Sequence, residues 1–290
     1  SKVQKDEPMK KHTTFRIGGP ADYFIMPSNE KELTAAVRVC REFSIPIYIV
    51  GNGSNLLVGD KGFRGAIIQL YKSMGTFQVE GNQITAQAGC SLAQIANAAL
   101  DAALTGFEFA AGIPGTLGGA VVMNAGAYGG EMKDVLKDVT VMTGEGEVRV
   151  IPAAELEMGY RTSIIKKAGY LVLGATISLK EGNLEEIKTL TRELREKRTS
   201  KQPLEFPSAG STFKRPEGYF AGKLIMDSGL AGYQVGGAQV SEKHCGFVIN
   251  AGGATARDVR TLMDNVRDIV YKKYGVTLEP EVKFLGDFEA

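Results

Sequence analysis

A glycine-rich stretch between Gly106 and Gly126 constrains the fold of this 290-residue chain more than any other feature. It holds six glycines within 21 residues, interspersed with alanines. Glycine costs conformational entropy on folding, so this density indicates a backbone that turns tightly or approaches a ligand closely. Backbone amides that line such a concavity bind anions, and a pyrophosphate suits them. A flexible surface loop is the alternative, but Ile113, Leu117 and Val121 are too apolar for a solvated linker.

A second loop of similar composition, Gly51–Val58, follows an apolar segment, Ile45–Val50, that predicts a buried strand. The loop begins like the dinucleotide pattern Gly-x-Gly-x-x-Gly, but Leu56 stands in place of the third glycine and no helix is expected to follow. The nucleoside-triphosphate pattern Gly-x-x-x-x-Gly-Lys-Ser/Thr does not occur in the sequence. Two such loops in one chain favour a single ligand that is bound from two sides.

The composition of the chain argues against nucleic-acid-binding, membrane-spanning and secreted proteins. Lys plus Arg number 34 and Asp plus Glu number 33, so a net charge of +1 gives no basic field for nucleic acid. No apolar run approaches the about 20 residues of a membrane span, and Ser1–Glu7 lacks the apolar core of a secretion signal. Three widely spaced cysteines, Cys40, Cys90 and Cys245, are typical of a reducing compartment. We therefore expect a cytoplasmic protein that binds neither nucleic acid nor membrane.

The scarcity of histidine limits the catalytic chemistry. The chain has two histidines, His12 and His244, and no Gly-x-Ser-x-Gly motif of a serine hydrolase. The pair His244-Cys245 is isolated, so packing and hydrogen bonding are favoured over metal ligation, and we expect no metal site. The chemistry is therefore expected to come from a bound cofactor, which the protein orients.

Hydrophobic periodicity predicts an α+β protein. The helices are expected at Asn29–Phe43, Ser91–Leu104, Leu184–Arg198 and Thr255–Tyr274. The strands are expected at Ala21–Met26, Ile45–Val50, Ala66–Leu70, Thr76–Val79, Gln83–Ala88, Asp138–Met142, Val148–Ile151, Tyr170–Leu179 and Gly246–Asn250. The helix from Leu184 is expected to bury Leu184, Ile187, Leu190 and Leu194. The segment Lys197–Pro203 is predicted to be a linker, because Pro203 and Pro207 prevent a helix from continuing.

Six motifs follow one another in a fixed order along the chain. They are Thr13–Ala21, Val50–Leu57, Ile113–Gly119, Gly159–Ser163, Ala209–Lys214 and Pro280–Val282. Together they closely resemble the UDP-N-acetylenolpyruvoylglucosamine reductases, flavoenzymes that make UDP-N-acetylmuramate for bacterial peptidoglycan. The resemblance extends from about Lys11 to Gly286, nearly the whole chain.

The resemblance implies an α+β architecture with a vanillyl-alcohol-oxidase/PCMH-type FAD-binding fold. Residues 1–74 and 75–200 would form two FAD-binding subdomains, and residues 201–290 a substrate-binding domain whose C-terminal segment returns to the active site. Some flavoproteins of this fold attach the flavin to a histidine. Neither glycine-rich loop contains one, so FAD is expected to be noncovalent, with NADPH as the hydride donor.

The resemblance also implies roles for three catalytic residues. Arg161 would steady negative charge on the enolpyruvyl carboxylate, Ser211 would protonate the neighbouring carbon, and Glu281 would stabilise the intermediate. The family often reads Asn-Ala-Gly-Ser-Phe-Phe-Lys-Asn-Pro around the serine, and this chain has Ser208 and Arg215 at the two asparagine positions. The resemblance therefore does not assign Arg215 the substrate contact that the second asparagine would make. Contact between Arg215 and a phosphate of the substrate is the alternative.

The remaining site residues fall into two groups. The cofactor-binding residues are expected to be Gly51, Asn52, Gly53, Ser54, Asn55, Leu56, Ile113, Pro114, Gly115, Thr116, Gly118, Gly119, Asn124, Ala125 and Gly126. The substrate-binding residues are expected to be Lys201, Lys214, Arg215 and Lys223.

The predicted function is the NADPH-dependent reduction of UDP-N-acetylglucosamine enolpyruvate to UDP-N-acetylmuramate through bound FAD. The expected partner is a small nucleotide sugar, and the chain is expected to be a monomer. Two alternatives stay open from the sequence. One is an FAD oxidase of the same fold that acts on an alcohol or a sugar, and the other is a nucleotide-sugar-binding protein that has lost catalysis.

Overall fold

The computed structural model describes residues 2–288, which contain seven α-helices and a larger number of short strands. The helices are α1 (Glu30–Glu42), α2 (Leu92–Asp101), α3 (Leu117–Met123), α4 (Ile164–Ala168), α5 (Leu184–Lys201), α6 (Ala221–Asp227) and α7 (Ala256–Tyr274). The strands are β1 (Lys2–Pro8), β2 (Pro20–Met26), β3 (Ile47–Val50), β4 (Leu56–Val58), β5 (Phe63–Gln69), β6 (Phe77–Glu80), β7 (Gln83–Gln87), β8 (Leu104–Thr105), β9 (Gly126–Ala127), β10 (Gly130–Glu131), β11 (Leu136–Met142), β12 (Val148–Pro152), β13 (Leu171–Ser178), β14 (Lys180–Glu181), β15 (Ser208–Ser211), β16 (Gln234–Val235), β17 (Ala238–Val240), β18 (Phe247–Asn250) and β19 (Lys283–Leu285).

The chain divides into two compact units. The first contains Phe24–Asn52 and Ala66–Arg198, and the second contains Gln4–Tyr23, Gly53–Gly65 and the chain from Thr199 onward. One four-stranded sheet has the order β1-β2-β5-β3, in which β3 and β5 are parallel. The predicted division at residues 74 and 200 into three domains stays a prediction. Within residues 2–288, no helix has the length and apolar content needed to cross a membrane.

The first unit is built on a five-stranded antiparallel sheet with the order β12-β11-β13-β7-β6. Helix α2 begins with a capping box, because Ser91 accepts from the Gln94 N–H and the Gln94 side chain accepts from the Ser91 N–H. Helix α3 packs on β7 and β13. This close packing depends on Gly118, where a Cβ would lie 3.0 Å from the Cβ of Ala88.

The second unit has an apolar core around α7 and the antiparallel sheet β15-β18-β17-β16. Helix α7 buries one face at helical spacing, including Val259, Leu262 and Val266. Its N-terminus is satisfied from outside the helix, since the Asp60 carboxylate accepts from the Ala256 and Arg257 N–H groups at 2.8 and 3.0 Å. A carboxylate here also complements the positive end of the helix dipole.

Two details of α5 differ from the expectation. The helix continues through Lys201, beyond the predicted end at Arg198, although the boundary between the two units after Arg198 falls within the predicted linker. Of the four side chains that were predicted to face the core, only Ile187 is buried, whereas Leu184 and Leu190 are exposed. The apolar spacing is helical, but charged side chains dominate the helix, and Ile187 is its one buried residue among those that the structure describes.

Helix α3 was not expected, because glycine disfavours helices. Its position inside the glycine-rich stretch is stabilised by tertiary bonds: the Leu117 and Gly118 N–H groups donate to the Cys90 and Ala88 carbonyls at 2.8 and 2.9 Å. Local propensity is thus overridden by contacts with residues distant in sequence.

Candidate active site

The two glycine-rich loops meet in the first unit. Asn52 Nδ2 donates to the Pro114 carbonyl at 2.8 Å. A Cβ at Gly51 would overlap the Thr116 hydroxyl, so glycine is required for the loops to approach this closely. The Gly51 carbonyl is held from the opposite side by Gln69 Nε2 at 3.1 Å. The structure therefore brings together the loops that the sequence predicts to bind one ligand.

The glycines of α3 differ in what surrounds them. At Gly118 a Cβ would lie 3.0 Å from the Ala88 Cβ and 3.3 Å from its carbonyl oxygen, which makes this glycine a packing residue. At Gly119 a Cβ would have one heavy-atom neighbour within 4 Å, Thr116 Oγ1 at 3.8 Å. Gly119 is exposed and faces open space.

This arrangement fits the pyrophosphate of FAD. Gly119 is the third residue of α3, and the first N–H groups of a helix have no partner within that helix. The missing side chain leaves room for a phosphate beside this amide, and a Cβ would occupy that room. A phosphate at this position also gains from the helix dipole. The predicted cofactor residues around α3 thus offer a cradle of the right chemistry.

Arg161 lies in a tight turn, in which Gly159 and Thr162 exchange backbone hydrogen bonds of 3.1 and 3.2 Å. Its φ of +57° falls in the left-handed region that residues with side chains rarely adopt. Its Cζ lies 5.0 Å from the centroid of the Tyr160 ring, within reach of a cation–π interaction. Such a backbone conformation persists only where neighbouring contacts enforce it, and it is typical of functional positions.

Two buried side chains fix this turn on α3. Asn124 has left-handed backbone angles at the end of the helix, and its Nδ2 donates to the Gly159 carbonyl at 3.2 Å and to Glu131 Oε2 at 2.6 Å. Ser163 Oγ donates to the Val122 carbonyl at 2.8 Å. Asn124, which the resemblance predicts to bind the cofactor, therefore bonds to protein groups and connects the turn of Arg161 to helix α3.

The rest of the first loop belongs to the second unit. The Gly53 carbonyl accepts from the Thr14 N–H at 3.2 Å, and a Cβ at Gly53 would overlap the His12 carbonyl. Thr14 Oγ1 donates to the Ser208 carbonyl at 2.6 Å. Thr14 thus joins the predicted cofactor loop to the strand that ends at Ser211.

The loop also contacts the segment of Glu281. Asn55 Nδ2 donates to the Glu281 carbonyl at 3.2 Å, and the Lys283 N–H donates to the Asn55 carbonyl at 2.9 Å. From Leu56 onward β4 pairs in parallel with β19. A predicted cofactor residue and a predicted catalytic residue are therefore neighbours within this unit.

Ser211 and Glu281 are brought together by the residue that follows the serine. Ser211 is exposed at the end of β15, where it pairs with Phe247. The Thr212 carbonyl accepts from the Glu281 N–H at 2.8 Å, and Glu281 is 8% exposed. Arg161 lies in the first unit and these two residues in the second. Their common action on one substrate stays a prediction.

Three of the predicted substrate-binding cations of the second unit have protein partners, whereas Lys201 is exposed at the end of α5. Lys214 Nζ is paired with Glu279 Oε2 at 2.8 Å, and Lys223 Nζ with Asp227 Oδ2 at 2.8 Å. The hydrogen bond from Lys214 lowers the pKa of the Glu279 carboxyl. Arg215 Cζ lies 4.1 Å from the centroid of the Phe220 ring. Exposed pairs of this kind contribute little to stability, so these cations can exchange their partners for phosphate at low cost.

Four residues that position the site had no predicted role: Thr14, Gln69, Ser163 and Thr212. Thr14, Ser163 and Thr212 lie inside the motifs that carry the resemblance. The sequence shows that these residues are there but does not show what they contact. Gln69 gave a different signal, because a glutamine in an otherwise apolar strand must find partners when it is buried.

Cysteine chemistry contributes nothing to this site. Cys40, Cys90 and Cys245 are buried and form no disulfide. Burial raises the pKa of the Cys90 thiol to about 11, and burial likewise raises the pKa of Cys40 and of Cys245. These thiols stay protonated at neutral pH and are poor nucleophiles.

Comparisons with known proteins agree along the whole chain. A family model described as the C-terminal domain of UDP-N-acetylenolpyruvoylglucosamine reductase matches residues 202–285, and an FAD binding domain model matches residues 21–151. The UDP-N-acetylenolpyruvoylglucosamine reductase from Lachnoclostridium phytofermentans is 55% identical to this chain, over 99% of this chain and 94% of the relative. The enzyme of the same name from Clostridioides difficile is 52% identical, over 98% of this chain and 94% of the relative.

A solved structure extends the agreement to the fold. The UDP-N-acetylenolpyruvylglucosamine reductase from Thermus caldophilus is 36% identical, with a TM-score of 0.85 over 98% of this chain and 99% of that one. The predicted family, the α+β FAD-binding fold and FAD as cofactor are confirmed. The chain belongs to the UDP-N-acetylenolpyruvoylglucosamine reductase family and is an FAD-containing oxidoreductase.

Proposed function

We propose that this chain reduces UDP-N-acetylglucosamine enolpyruvate to UDP-N-acetylmuramate, with Arg161, Ser211 and Glu281 as its catalytic residues. The reductase names of relatives above 50% identity support the reaction. The cradle at Gly119 and the paired loops around Asn52 support noncovalent binding of FAD. Bound FAD supplies the hydride chemistry between NADPH and the substrate, which no side chain can provide.

Each catalytic residue has a task that its chemistry suits. The Arg161 guanidinium is permanently charged and matches a carboxylate with two parallel hydrogen bonds, so it stabilises charge that develops on the enolpyruvyl group. Ser211 Oγ gives a proton to the carbon beside the carboxylate. A hydroxyl is a weak acid, and the transfer therefore requires an anionic acceptor held close to Oγ. Glu281 assists in stabilising that acceptor.

One observation carries the assignment of Ser211 and Glu281. Thr212 follows Ser211 directly, and its carbonyl accepts a hydrogen bond from the Glu281 N–H. The exposed hydroxyl and the buried carboxyl are thereby tied to one rigid segment, as a proton donor and its supporting group require.

Anaerobic stopped-flow spectroscopy tests the proposal. NADPH should bleach the flavin absorbance of the purified protein, and the enolpyruvyl substrate should restore it with one equivalent of UDP-N-acetylmuramate formed. Flavin that NADPH does not bleach would refute the reductase assignment. Recovery by dioxygen but not by the enolpyruvyl substrate would favour an oxidase instead.

The cellular context follows from the same proposal. A nucleotide sugar is the small-molecule partner, and the reaction takes place in the cytoplasm, where three unpaired thiols persist. The monomeric state stays a prediction, which light scattering of the holoprotein tests.

A further inference from the structure

We infer that Thr212 is the positioning residue of the oxidative half-reaction, because its side chain fixes the register that places Ser211 and Glu281. This inference rests on the proposed function of those two residues and assigns a task to the side chain of Thr212. Thr212 itself is 1% exposed. It therefore acts through its neighbours and not by contact with the substrate.

The strand that carries Ser211 is irregular where it matters. Ser208 pairs with Ile249 and Ser211 pairs with Phe247, so β15 contains one residue more than the strand opposite. Gly210, inside this bulge, has a φ of +73°, and a Cβ there would meet nothing within 4 Å. At such a bulge the ladder is disrupted, and the sheet alone does not determine which residue faces inward.

Thr212 supplies the missing constraint with hydrogen bonds from its side chain and from its backbone. Its Oγ1 accepts from the Val248 N–H at 2.8 Å, and its own N–H donates to the Gly246 carbonyl at 2.9 Å. Its carbonyl accepts from the Glu281 N–H at 2.8 Å. The residue is thus bonded to β18 on one side and to the segment of Glu281 on the other.

The hydrogen bond from the Val248 N–H to Thr212 Oγ1 determines which way the Ser211 side chain points. Thr212 lies in a bend directly after β15, and its side chain is buried whereas that of Ser211 is exposed. A rotation of this backbone that released the Thr212 side chain would also turn Ser211 Oγ away from its present direction. Without the hydroxyl, the Val248 N–H, in a residue 2% exposed, would lose this acceptor, which favours rearrangement of the segment.

Three variants of the FAD-loaded protein test this role. Thr212→Val keeps the volume and removes the acceptor, and Thr212→Ser keeps the acceptor. Thr143→Val is the matched control: Thr143 is 2% exposed and its Oγ1 accepts from the Glu145 and Glu147 N–H groups at 3.2 and 3.3 Å, in a hairpin without predicted site residues. Stopped-flow absorbance measures both half-reactions, and amide hydrogen exchange measures Val248 and Glu281.

Thr212→Val should slow flavin reoxidation by the enolpyruvyl substrate at least about tenfold and leave reduction by NADPH within about twofold of wild type. Exchange at Val248 and Glu281 should accelerate at least about tenfold. Thr212→Ser should stay near wild type in both measurements. Thr143→Val should lower the melting temperature without changing either half-reaction.

Equal slowing of both half-reactions, or unchanged reoxidation in Thr212→Val, would overturn the inference. The same holds if Thr143→Val slows reoxidation as much. If the valine variant does not fold, Thr212→Ala removes the hydroxyl without placing a second methyl near the Val248 amide, and the same comparison applies. Wild-type protein that the enolpyruvyl substrate does not reoxidise would instead refute the proposed function, which keeps the two failures distinct.

Discussion

Two adjacent glycines of α3 offer a test of the FAD cradle with an internal control. An alanine at Gly119 would place its Cβ in the open space where we expect the pyrophosphate, with Thr116 Oγ1 as its nearest neighbour at 3.8 Å. An alanine at Gly118 would instead press on Ala88, at 3.0 Å from its Cβ. The two substitutions are chemically identical and differ only in what the new methyl group meets.

The expected free energies have opposite signs in the apoprotein. Replacing a helical glycine by alanine without a clash stabilises a helix by about 0.5–1 kcal/mol, so Gly119→Ala should raise the unfolding free energy of the apoprotein. Overpacking costs about 1–3 kcal/mol, so Gly118→Ala should lower it. If the Gly119 methyl weakens FAD binding tenfold or more, the holoprotein loses at least about 1.4 kcal/mol of stabilisation by bound FAD. Gly119→Ala should therefore stabilise the apoprotein and destabilise the holoprotein.

Calorimetric unfolding of both variants, with and without excess FAD, measures these changes, and titration calorimetry measures the affinity. Gly118→Ala should bind FAD with near-wild-type affinity wherever it is folded. Retention of wild-type FAD affinity by Gly119→Ala would refute the cradle. A fall in apoprotein stability for Gly119→Ala would show that the space at Gly119 is filled by protein.

Three further changes test other parts of the site. Ser211→Ala should slow flavin reoxidation by the enolpyruvyl substrate about 10²–10⁴-fold in stopped-flow traces and leave reduction by NADPH unchanged, since only the former needs a proton on a substrate carbon. Asn52→Leu removes the bond to the Pro114 carbonyl and should weaken FAD binding in a fluorescence titration, and equal affinity would mean that the loops need no bridge. Burial of the ring, with a contribution from the charge of Lys201, lowers the pKa of His244, whose Nδ1 accepts from the Gly246 N–H. The unfolded chain therefore binds more protons just below pH 6.5, and stability should fall as pH is lowered through the folded-state pKa. His244→Asn, which keeps an acceptor that does not titrate, should flatten the pH dependence of the melting temperature below pH 6.5.

Elements with local signals could be predicted from the sequence. Asn29 accepts from the Glu32 N–H at the start of α1, and α2 and α7 begin with the capping boxes of Ser91 and Thr255. A cap involves residues three positions apart, so the sequence contains the whole interaction. The starts of these helices therefore agree with the prediction within a residue or two.

Elements that depend on distant contacts could not be predicted. Helix α3 forms although two of its seven residues are glycine, because Cys90 and Ala88 supply acceptors for its first N–H groups. The exposure of Leu190 in α5 has the same origin, since the periodicity shows that a face is apolar and does not show whether another element covers it.

For the site, the motifs predict residues but not the partners of their side chains. Asn124 illustrates the difference, because its place in the glycine-rich region suggests a cofactor contact, whereas its side chain bonds to Glu131 and the Gly159 carbonyl. The partner carbonyl is 35 residues away, next to the turn of Arg161. No local pattern encodes a hydrogen bond over that separation, and only the folded backbone makes it visible.

Glycine density shows the limit of a sequence argument most directly. A glycine is needed wherever a Cβ does not fit, and the sequence does not say whether protein or ligand excludes it. In this chain the Thr116 hydroxyl excludes a side chain at Gly51 and Ala88 excludes one at Gly118, so both glycines serve the packing of the loops themselves. Gly119 has no such protein neighbour, and our proposal is that the pyrophosphate of FAD takes the space beside it. On that proposal the loops are glycine-rich for two reasons, of which only the second concerns the cofactor.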